Sequence, residues 1–132
     1  MKSGPITKLK KVKPWTTDYA DKKFSLYIRT RDPMCRRCLV VPSRDNSHYW
    51  ARGHSATRFD PENCIGLCRP CHDEWEHLKN YEYKEWMLNW LGREKYDALE
   101  RRARGFKKRD QAVRECREFL STLPARADAD IC

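Results

Sequence analysis

The sequence CRRC at residues 35–38 and the sequence CRPCH at residues 68–72 decide the fold of this chain. Each segment has two cysteines separated by two residues, the spacing at which a tight loop directs two sulfur atoms at one metal ion. Two such pairs supply the four thiolates of a closed tetrahedral zinc site. The long insert between the pairs then has to fold as a unit of its own. We therefore expect one structural Zn²⁺ ion to be held by four residues, Cys35, Cys38, Cys68 and Cys71.

The N-terminal segment and the other cysteines indicate where the chain works. Residues 1–13 are rich in lysine and contain no apolar core of the kind found in a signal peptide. No run of the sequence is long and apolar enough to predict a membrane-spanning helix. These features predict a cytoplasmic protein, in which paired cysteines are reduced and bind metal rather than form disulfides. Cys64, which lies shortly before the second pair, stays open as an alternative ligand.

The balance of charge favours a polyanionic partner. The chain has 28 lysines and arginines against 19 aspartates and glutamates, which gives a net charge of +9 over 132 residues. Contacts between such side chains and phosphates release counterions, so DNA is the default partner and no membrane partner is expected. A single domain of this length can bury a core. Because 36% of the residues are charged, that core is small and a bound metal would add to its stability.

The insert between the cysteine pairs predicts a β-hairpin followed by a helix. Residues 48–54 alternate bulky and small side chains and predict a strand, and the sequence DPEN at residues 60–63 predicts a turn. A second, short strand is then expected over residues 63–67. Pro70 suits the first turn of a helix, which we expect over residues 71–79. The insert and the second pair thus form a ββα unit.

Helices are predicted on both sides of this unit. Thr17 can cap a helix over residues 17–31, and Asp32 and Pro33 would end it. A further helix is expected over residues 82–91, with an aromatic stripe that we interpret as core. Two more helices are expected after residue 91. The first of them turns Tyr96, Leu99, Ala103 and Phe106 inward, and the second turns Val113, Cys116, Phe119 and Leu120 inward.

Together these elements predict an α+β fold, with a small ββα-metal, treble-clef-like zinc core flanked by several α-helices and helix predominating overall. We divide the chain into a flexible basic arm at residues 1–16, a single domain at residues 17–123 and a disordered tail at residues 124–132. The domain comprises the zinc core at residues 35–79 and a helical part at residues 80–123. The last predicted helix could pack within the chain or form the interface of a homodimer.

Two histidines and an asparagine indicate a second, catalytic chemistry in the zinc core. A hairpin that delivers His54 beside the first turn of the next helix would place it across a small pocket from His72, with Glu76 one turn further on. A divalent cation held by His72 and Glu76 can polarise a phosphate, and His54 can take a proton from the attacking water. Asn63 can hydrogen-bond the backbone across the loop and orient His54. The pattern predicts hydrolysis of a phosphodiester.

Three further side chains are candidates for contact with DNA. Arg52 and Arg58 flank the predicted pocket, and guanidinium groups pair well with phosphate oxygens. His77 follows Glu76 and is a candidate for contact with metal or phosphate. Ordinary solvent exposure is the alternative for each of them. We find no helix-turn-helix with a recognition helix, so low sequence specificity is expected.

These motifs resemble a known family. Gly53-His54, Asn63 and the Cys-x2-Cys-His run at residues 68–72 are similar to the motifs of the HNH, or His-Asn-His, endonucleases, which have a ββα-metal fold on a four-cysteine zinc site. Three longer segments resemble the phage NinG/Rap recombination endonucleases: residues 20–32, 56–63 and 83–99. The resemblance implies cleavage of DNA, with branched recombination intermediates as substrate, in the host cytoplasm if the chain is phage-encoded. It matches His54 to the general base, Asn63 to the middle asparagine and His72 to the metal ligand on the helix.

The chain departs from the family pattern just before the predicted base. Many HNH enzymes have an acidic or histidine metal ligand directly before the base, and NinG-like sequences often have an aspartate three residues before it. In this chain those two positions are Gly53 and Ala51. Three residues stay open as replacement ligands: Glu76, Asp73 and His48.

The sequence therefore leads to three functional hypotheses. The first is a metal-dependent DNA endonuclease with Mg²⁺, Mn²⁺ or Zn²⁺ as its catalytic ion. The second is a non-catalytic, zinc-stabilised DNA-binding module in which the missing carboxylate means a lost metal site. The third is a zinc-stabilised adaptor protein, which binds a recombination or replication protein through its aromatic helical face. Cleavage, salt-dependent DNA binding without cleavage, and a stable protein complex would distinguish them.

Overall fold

The computed structural model describes residues 13–124, so most of the predicted arm (residues 1–12) and most of the predicted tail (residues 125–132) lie outside the described residues. The described chain is mixed α and β and mostly helical, as predicted. Its elements, in chain order, are α1 (Thr17–Arg31), β1 (Asp45–His48), β2 (Cys64–Leu67), α2 (Arg69–His77), α3 (Asn80–Leu91), α4 (Arg93–Arg104) and α5 (Arg109–Ser121). None of these helices has the length and apolar character that crossing a membrane requires.

Helix α1 leads into the first cysteine pair. Its N-cap is Thr16, whose side-chain oxygen accepts a hydrogen bond from a backbone N–H of the first turn at 3.1 Å, so the predicted cap at Thr17 is one residue late. The helix ends at Arg31, as predicted, and Asp32 follows it with a buried carboxylate. That carboxylate accepts hydrogen bonds from Gly66 N at 2.9 Å and from Arg31 at 2.8 Å. Burial opposes ionisation of Asp32, but these hydrogen bonds outweigh it and lower the pKa of the carboxyl.

The sheet has two antiparallel strands, and the first of them lies earlier in the sequence than predicted. Its pairing ends where His48 faces Cys64. The predicted strand over residues 48–54 is therefore wrong, whereas the second strand agrees with its prediction to within one residue. The first strand stops because the backbone N–H and C=O of Trp50 hydrogen-bond to the side chain of Asn63, at 2.8 and 3.0 Å, rather than to a neighbouring strand.

Helix α2 follows β2 directly and begins at Arg69, two residues before its predicted start at Cys71. The earlier start arises because the Cys68 carbonyl already accepts a helical hydrogen bond, from His72 N at 2.9 Å. Pro70 lies in the first turn, as predicted. The second cysteine pair thus spans the junction between strand and helix.

Two apolar clusters hold these elements together. The first lies between the sheet, α2, α3 and α4, and its largest buried members are Ile65, Leu67, Trp75, Tyr83, Met87, Tyr96 and Leu99. The second joins α1 to α5 and contains Phe24, Ile28, Cys64, Val113 and Cys116. The apolar face of α5 is therefore used within the chain. Phe106 was predicted to face inward, but α4 ends at Arg104 and leaves Phe106 88% exposed in the connection to α5.

Candidate functional site

The four cysteines of the two C-x2-C pairs form one cluster. Their Sγ atoms all lie within 4.8 Å of one another, and three of the four residues are buried. Sulfur atoms bound to one Zn²⁺ ion at about 2.3 Å are about 3.8 Å apart in a tetrahedron, so this spacing suits a shared ion. The cluster can hold a metal ion such as zinc, as predicted for Cys35, Cys38, Cys68 and Cys71.

Backbone N–H groups around the cluster favour negative charge on sulfur. Burial raises the pKa of the Cys35 thiol, but hydrogen bonds from the N–H groups of Cys38, Cys68 and Arg37 outweigh it and lower the pKa to about 6. Arg37 also hydrogen-bonds Cys71, pairs with Glu82 at 3.0 Å and with Glu74, and so ties the first cysteine pair to α2 and α3. Burial and the neighbouring sulfur atoms raise the pKa of Cys68 and of Cys71, so the protein surroundings favour a thiolate at Cys35, and a bound cation would favour thiolates at the others.

Cys64, the alternative ligand, is not part of this cluster. Its side chain is fully buried against α1 and α5, and its Sγ donates to the Arg58 carbonyl at 3.9 Å. Burial raises the pKa of this thiol well above its ordinary value. Cys64 is therefore a core residue.

A second site lies beside the cysteine cluster, in a cavity of about 980 Å³ between α1, β1 and the start of α2, which we call the basic cavity. Five basic side chains line it: Lys22, Arg29, Arg44, Arg52 and Arg69. Its other charged or titratable residues are Asp21, Asp45, His48, His72 and Glu76. A site with positive walls and a few carboxylates and imidazoles is suited to a phosphate group together with a divalent cation.

His72 stands between two carboxylates of the basic cavity. It lies in the first turn of α2, as predicted, with Nδ1 2.9 Å from Asp45 Oδ2 and Nε2 3.2 Å from Glu76 Oε2. A neutral imidazole carries one N–H and can donate to only one of these oxygens. The second contact needs either another proton or a cation shared between nitrogen and oxygen. Asp45 also accepts a hydrogen bond from Arg69 Nε at 2.9 Å, so the positive guanidinium partly neutralises the carboxylate.

Sequence reasoning did not single out Asp45. The predicted first strand began three residues too late, so Asp45 lay outside it. Its position three residues before His48 is the signal that could have identified it.

His48 lies at the end of β1 and lines the same cavity as His72. Its Nε2 is 3.0 Å from the Arg58 carbonyl oxygen, and because a carbonyl only accepts, Nε2 carries the proton. The lone pair of the neutral ring is therefore on Nδ1. Burial is the main reason that the pKa of His48 falls to about 4, so the imidazole is neutral at pH 7. The sequence favoured solvent exposure for His48 and left it open as a metal ligand.

His54, the predicted base, is placed elsewhere. Its Nδ1 donates to the Ala103 carbonyl on α4 at 3.1 Å, and its ring packs edge-on against Trp50 at 5.5 Å. It is not among the residues that line the basic cavity, so the expected pairing of His54 with His72 across a pocket is not observed. The reason is that the chain leaves the sheet at His48, and the loop that follows turns His54 towards α4.

Asn63 does bridge the loop, as predicted. The side chain is fully buried, accepts from Trp50 N at 2.8 Å, and donates to the carbonyls of Trp50 and Thr57, each at 3.0 Å. Thr57 precedes Arg58, whose carbonyl holds the ring of His48. Asn63 therefore fixes the loop that contains His54 and that brings the Arg58 carbonyl to the ring of His48.

The three predicted DNA contacts differ in their surroundings. Arg52 lines the basic cavity with an exposed side chain, 3.7 Å from Asp21. Arg58 is buried: its guanidinium donates to both carboxylate oxygens of Asp21, at 3.0 and 2.6 Å, and to the Arg52 carbonyl, so it ties the loop to α1 instead of facing solvent. His77 is exposed at the end of α2, outside the basic cavity.

Comparisons of the chain with models of protein families, with curated proteins and with solved structures find no match. The chemistry of the two sites described above is therefore the basis for assigning a function.

Proposed function

We propose that this protein is a metal-dependent DNA endonuclease of the HNH type, with a ββα-metal core built on a structural zinc ion. The observation that carries the proposal is the meeting of His48, His72 and Asp45 in one basic cavity. The four-cysteine cluster would hold the zinc, and it joins the loop before β1 to the start of α2. The site residues therefore rest on a rigid, metal-bound scaffold.

Asp45 and His72 are the proposed ligands of the catalytic ion. His72 Nδ1 lies 2.9 Å from Asp45 Oδ2, so the two side chains are close enough to bind one divalent ion in place of their hydrogen bond. Glu76 then accepts the proton on the other ring nitrogen and fixes the orientation of the imidazole. A divalent ion in this position would polarise the scissile phosphate and stabilise the leaving oxygen.

His48 is the proposed general base in place of His54. Its Nδ1 is free of a proton, and its Nε2–H is held by the Arg58 carbonyl, so the orientation of the ring is defined. Burial lowers the pKa of His48 to about 4 and makes the ring a weak base in the free protein, and a phosphate anion in the basic cavity would favour the protonated ring and raise that pKa. The family pattern supports the same choice, because Asp45 lies three residues before His48. With His48 as the base, the aspartate three residues earlier is present, whereas the position directly before the base is Ser47 and still departs from the pattern of many HNH enzymes.

We expect arginines around the site to contact the phosphates of the DNA backbone. Arg44 and Arg52 line the basic cavity near β1, and Arg29 faces them from α1. Together with the net charge of +9, they favour binding that depends on phosphates rather than on base sequence. Branched recombination intermediates remain the proposed substrate by resemblance.

One observation favours a second candidate, the non-catalytic DNA-binding module. Arg69 pairs with Asp45 at 2.9 Å and neutralises the carboxylate without a metal ion. The adaptor hypothesis loses its main argument, because Tyr83 and Met87 of the aromatic helix are buried and Trp86 packs against the guanidinium of Arg36 at 5.2 Å.

A cleavage assay with matched histidine variants tests the proposal. The purified chain is incubated with plasmid, duplex and four-way-junction DNA in Mg²⁺, Mn²⁺ or Zn²⁺, and His48→Ala is compared with His54→Ala. We expect loss of cleavage by 100-fold or more for His48→Ala, and for His72→Ala, with DNA binding retained. His54→Ala should keep most of the activity. DNA binding without cleavage in every metal would favour the non-catalytic module, and loss of cleavage in His54→Ala alone would restore His54 as base.

A further inference from the structure

A second cavity, of about 330 Å³, opens beside the basic cavity and shares two of its walls, His48 and Glu76. Four of its other wall residues are aromatic, Tyr49, Trp50, Tyr81 and Tyr83, and we call it the aromatic cavity. Because the proposed base lines both spaces, a group in the aromatic cavity would be the immediate neighbour of a phosphate in the basic cavity.

Most of the aromatic wall is held in place by the fold. The Tyr49 hydroxyl hydrogen-bonds that of Tyr96 at 2.6 Å, and the Tyr83 hydroxyl hydrogen-bonds Ser47 at 2.8 Å. The rings of Tyr49 and Tyr83 meet edge to face at 5.1 Å. Their polar ends are therefore already satisfied, and these rings offer apolar surface to whatever enters.

Several residues that line the cavity have an exposed ring or a polar atom whose bonding within the described residues is incomplete. Tyr81 is 69% exposed, and Lys84 follows it by about one helical turn. Trp50 Nε1 is buried and has no hydrogen-bond partner in the part of the chain that the structure describes. Asn80 uses its Nδ2 for bonds to the Trp75 and Glu76 carbonyls, which leaves its Oδ1 as an acceptor. A flat aromatic ligand with donors and acceptors on its edge matches this set.

The size and charge of the cavity narrow the choice of ligand. Its volume accommodates one nucleobase and excludes a base pair within a duplex, whose faces are covered by its neighbours. Stacking of a base on an exposed aromatic ring is tolerant of sequence, and a lysine at the mouth can meet the adjoining phosphate. These features are those of sites that bind single-stranded nucleic acid.

We propose that the aromatic cavity binds one unpaired nucleobase next to the phosphate that is cleaved. The substrate class is then DNA with an unpaired nucleotide at the cleavage point, such as a single strand, a flap or a junction, and continuous duplex is a poor substrate. This inference rests on the proposed nuclease function, since it places the base relative to the cleaved phosphate.

A binding experiment tests the base site without requiring cleavage. An oligonucleotide with a single 2-aminopurine is titrated with the full chain, without added divalent ion, as a single strand and as a fully paired duplex. Stacking in the aromatic cavity quenches 2-aminopurine, so we expect a loss of fluorescence for the single strand and none for the duplex. Tyr81→Ala should weaken single-strand binding about tenfold and remove the quenching, and Tyr81→Phe should retain both.

Phe106→Ala is the matched control, because Phe106 is an exposed aromatic residue outside the cavity. It should leave binding and quenching unchanged. If Tyr81→Ala binds and quenches like the wild type, or if Phe106→Ala has the same effect as Tyr81→Ala, the base site is refuted.

A parallel cleavage assay separates the two proposals. If duplex and unpaired substrates are cut equally and Tyr81→Ala changes neither rate, the endonuclease stands and the base site is wrong. If no DNA is cut in any metal but quenching depends on Tyr81, the base-binding cavity is upheld and the nuclease function is not.

Discussion

Asn63 occupies the point where the loop after β1 returns to β2, and its buried carboxamide makes three hydrogen bonds to that loop. These bonds close the loop and bring the Arg58 carbonyl to the ring of His48. One asparagine thereby sets both the end of a strand and the proton position on a histidine. The same bonds satisfy backbone groups that would otherwise be buried without partners.

Replacing this side chain should cost stability and orientation together. Asn63→Ala leaves two carbonyls and one N–H without partners, so we expect the free energy of unfolding to fall by about 2–4 kcal/mol in urea denaturation. Cleavage by the remaining folded protein should also fall, because His48 is no longer held. Asn89→Ala, at an exposed asparagine of α3, is the control and should cost less than about 1 kcal/mol.

The low pKa of His48 predicts a specific dependence of stability on pH. Burial lowers the pKa of its imidazole from 6.5 to about 4, so between these values the unfolded chain binds more protons than the folded chain. The contribution of His48 to stability is therefore fully present above about pH 6.5 and is lost as the pH falls towards 4. At pH 5 the loss relative to pH 7.5 should be about 2 kcal/mol, compared with a His48→Gln variant. An imidazole NMR signal of His48 that titrates near pH 6.5 would contradict this.

At the scale of elements, the cysteine cluster decides how α1, the sheet and α2 meet. The first pair lies in the connection from α1 to β1, and the second lies at the junction of β2 and α2. The strands themselves have four residues each and form the whole sheet of the described chain. A two-stranded sheet of this length is marginal without further support. The aromatic contacts of Arg36 and Arg37 provide part of that support, and an ion bound by the four cysteines would add to it.

Removal of one cysteine ligand should therefore unfold the core. We expect one Zn²⁺ per wild-type chain by elemental analysis, and loss of the zinc in Cys68→Ser. The variant should lose several kcal/mol of stability, seen as a large fall in the thermal unfolding midpoint by circular dichroism. Cys132→Ser, which changes a cysteine outside both pairs, should keep its zinc and its midpoint. Retention of one zinc per chain by Cys68→Ser would contradict the assignment of the ligands.

At the scale of the whole molecule, positive charge is spread unevenly. Arginines of α1, of the segment before β1 and of α2 converge on the basic cavity. Others are engaged in ion pairs that hold elements together, as Arg102 is with Asp60 at 2.9 Å and Glu62 at 3.1 Å. The net charge alone therefore does not say which side chains are available to DNA.

Salt dependence of DNA binding can separate these two groups of arginines. Each phosphate contact that is lost should reduce the slope of log K against log salt concentration by about 1. We expect that reduction for Arg44→Ala and for Arg52→Ala, because both line the basic cavity. Arg93→Ala, at an exposed arginine of α4 paired with Asp97, should leave the slope unchanged. Equal slopes for all three variants would mean that the basic cavity is not the DNA-binding face.

The sequence by itself determined the features that local patterns encode. The C-x2-C pairs predicted the four-cysteine cluster because two short loops restrict where four sulfur atoms can lie. The helices followed from apolar periodicity, and the proline in the first turn of α2 followed from its fixed φ. His72 was placed correctly because it follows the last cysteine directly.

Only the tertiary structure decided which histidine joins His72. His48 and His54 lie six residues apart, and alternation in the sequence favoured a strand that runs through both. The strand stops at His48 because the backbone N–H and C=O of Trp50 are hydrogen-bonded to the side chain of Asn63, which is distant in sequence. His54 instead donates a hydrogen bond to the Ala103 carbonyl on helix α4. Hydrogen bonds between residues far apart in the chain leave no local pattern, so the site could be read only from the fold.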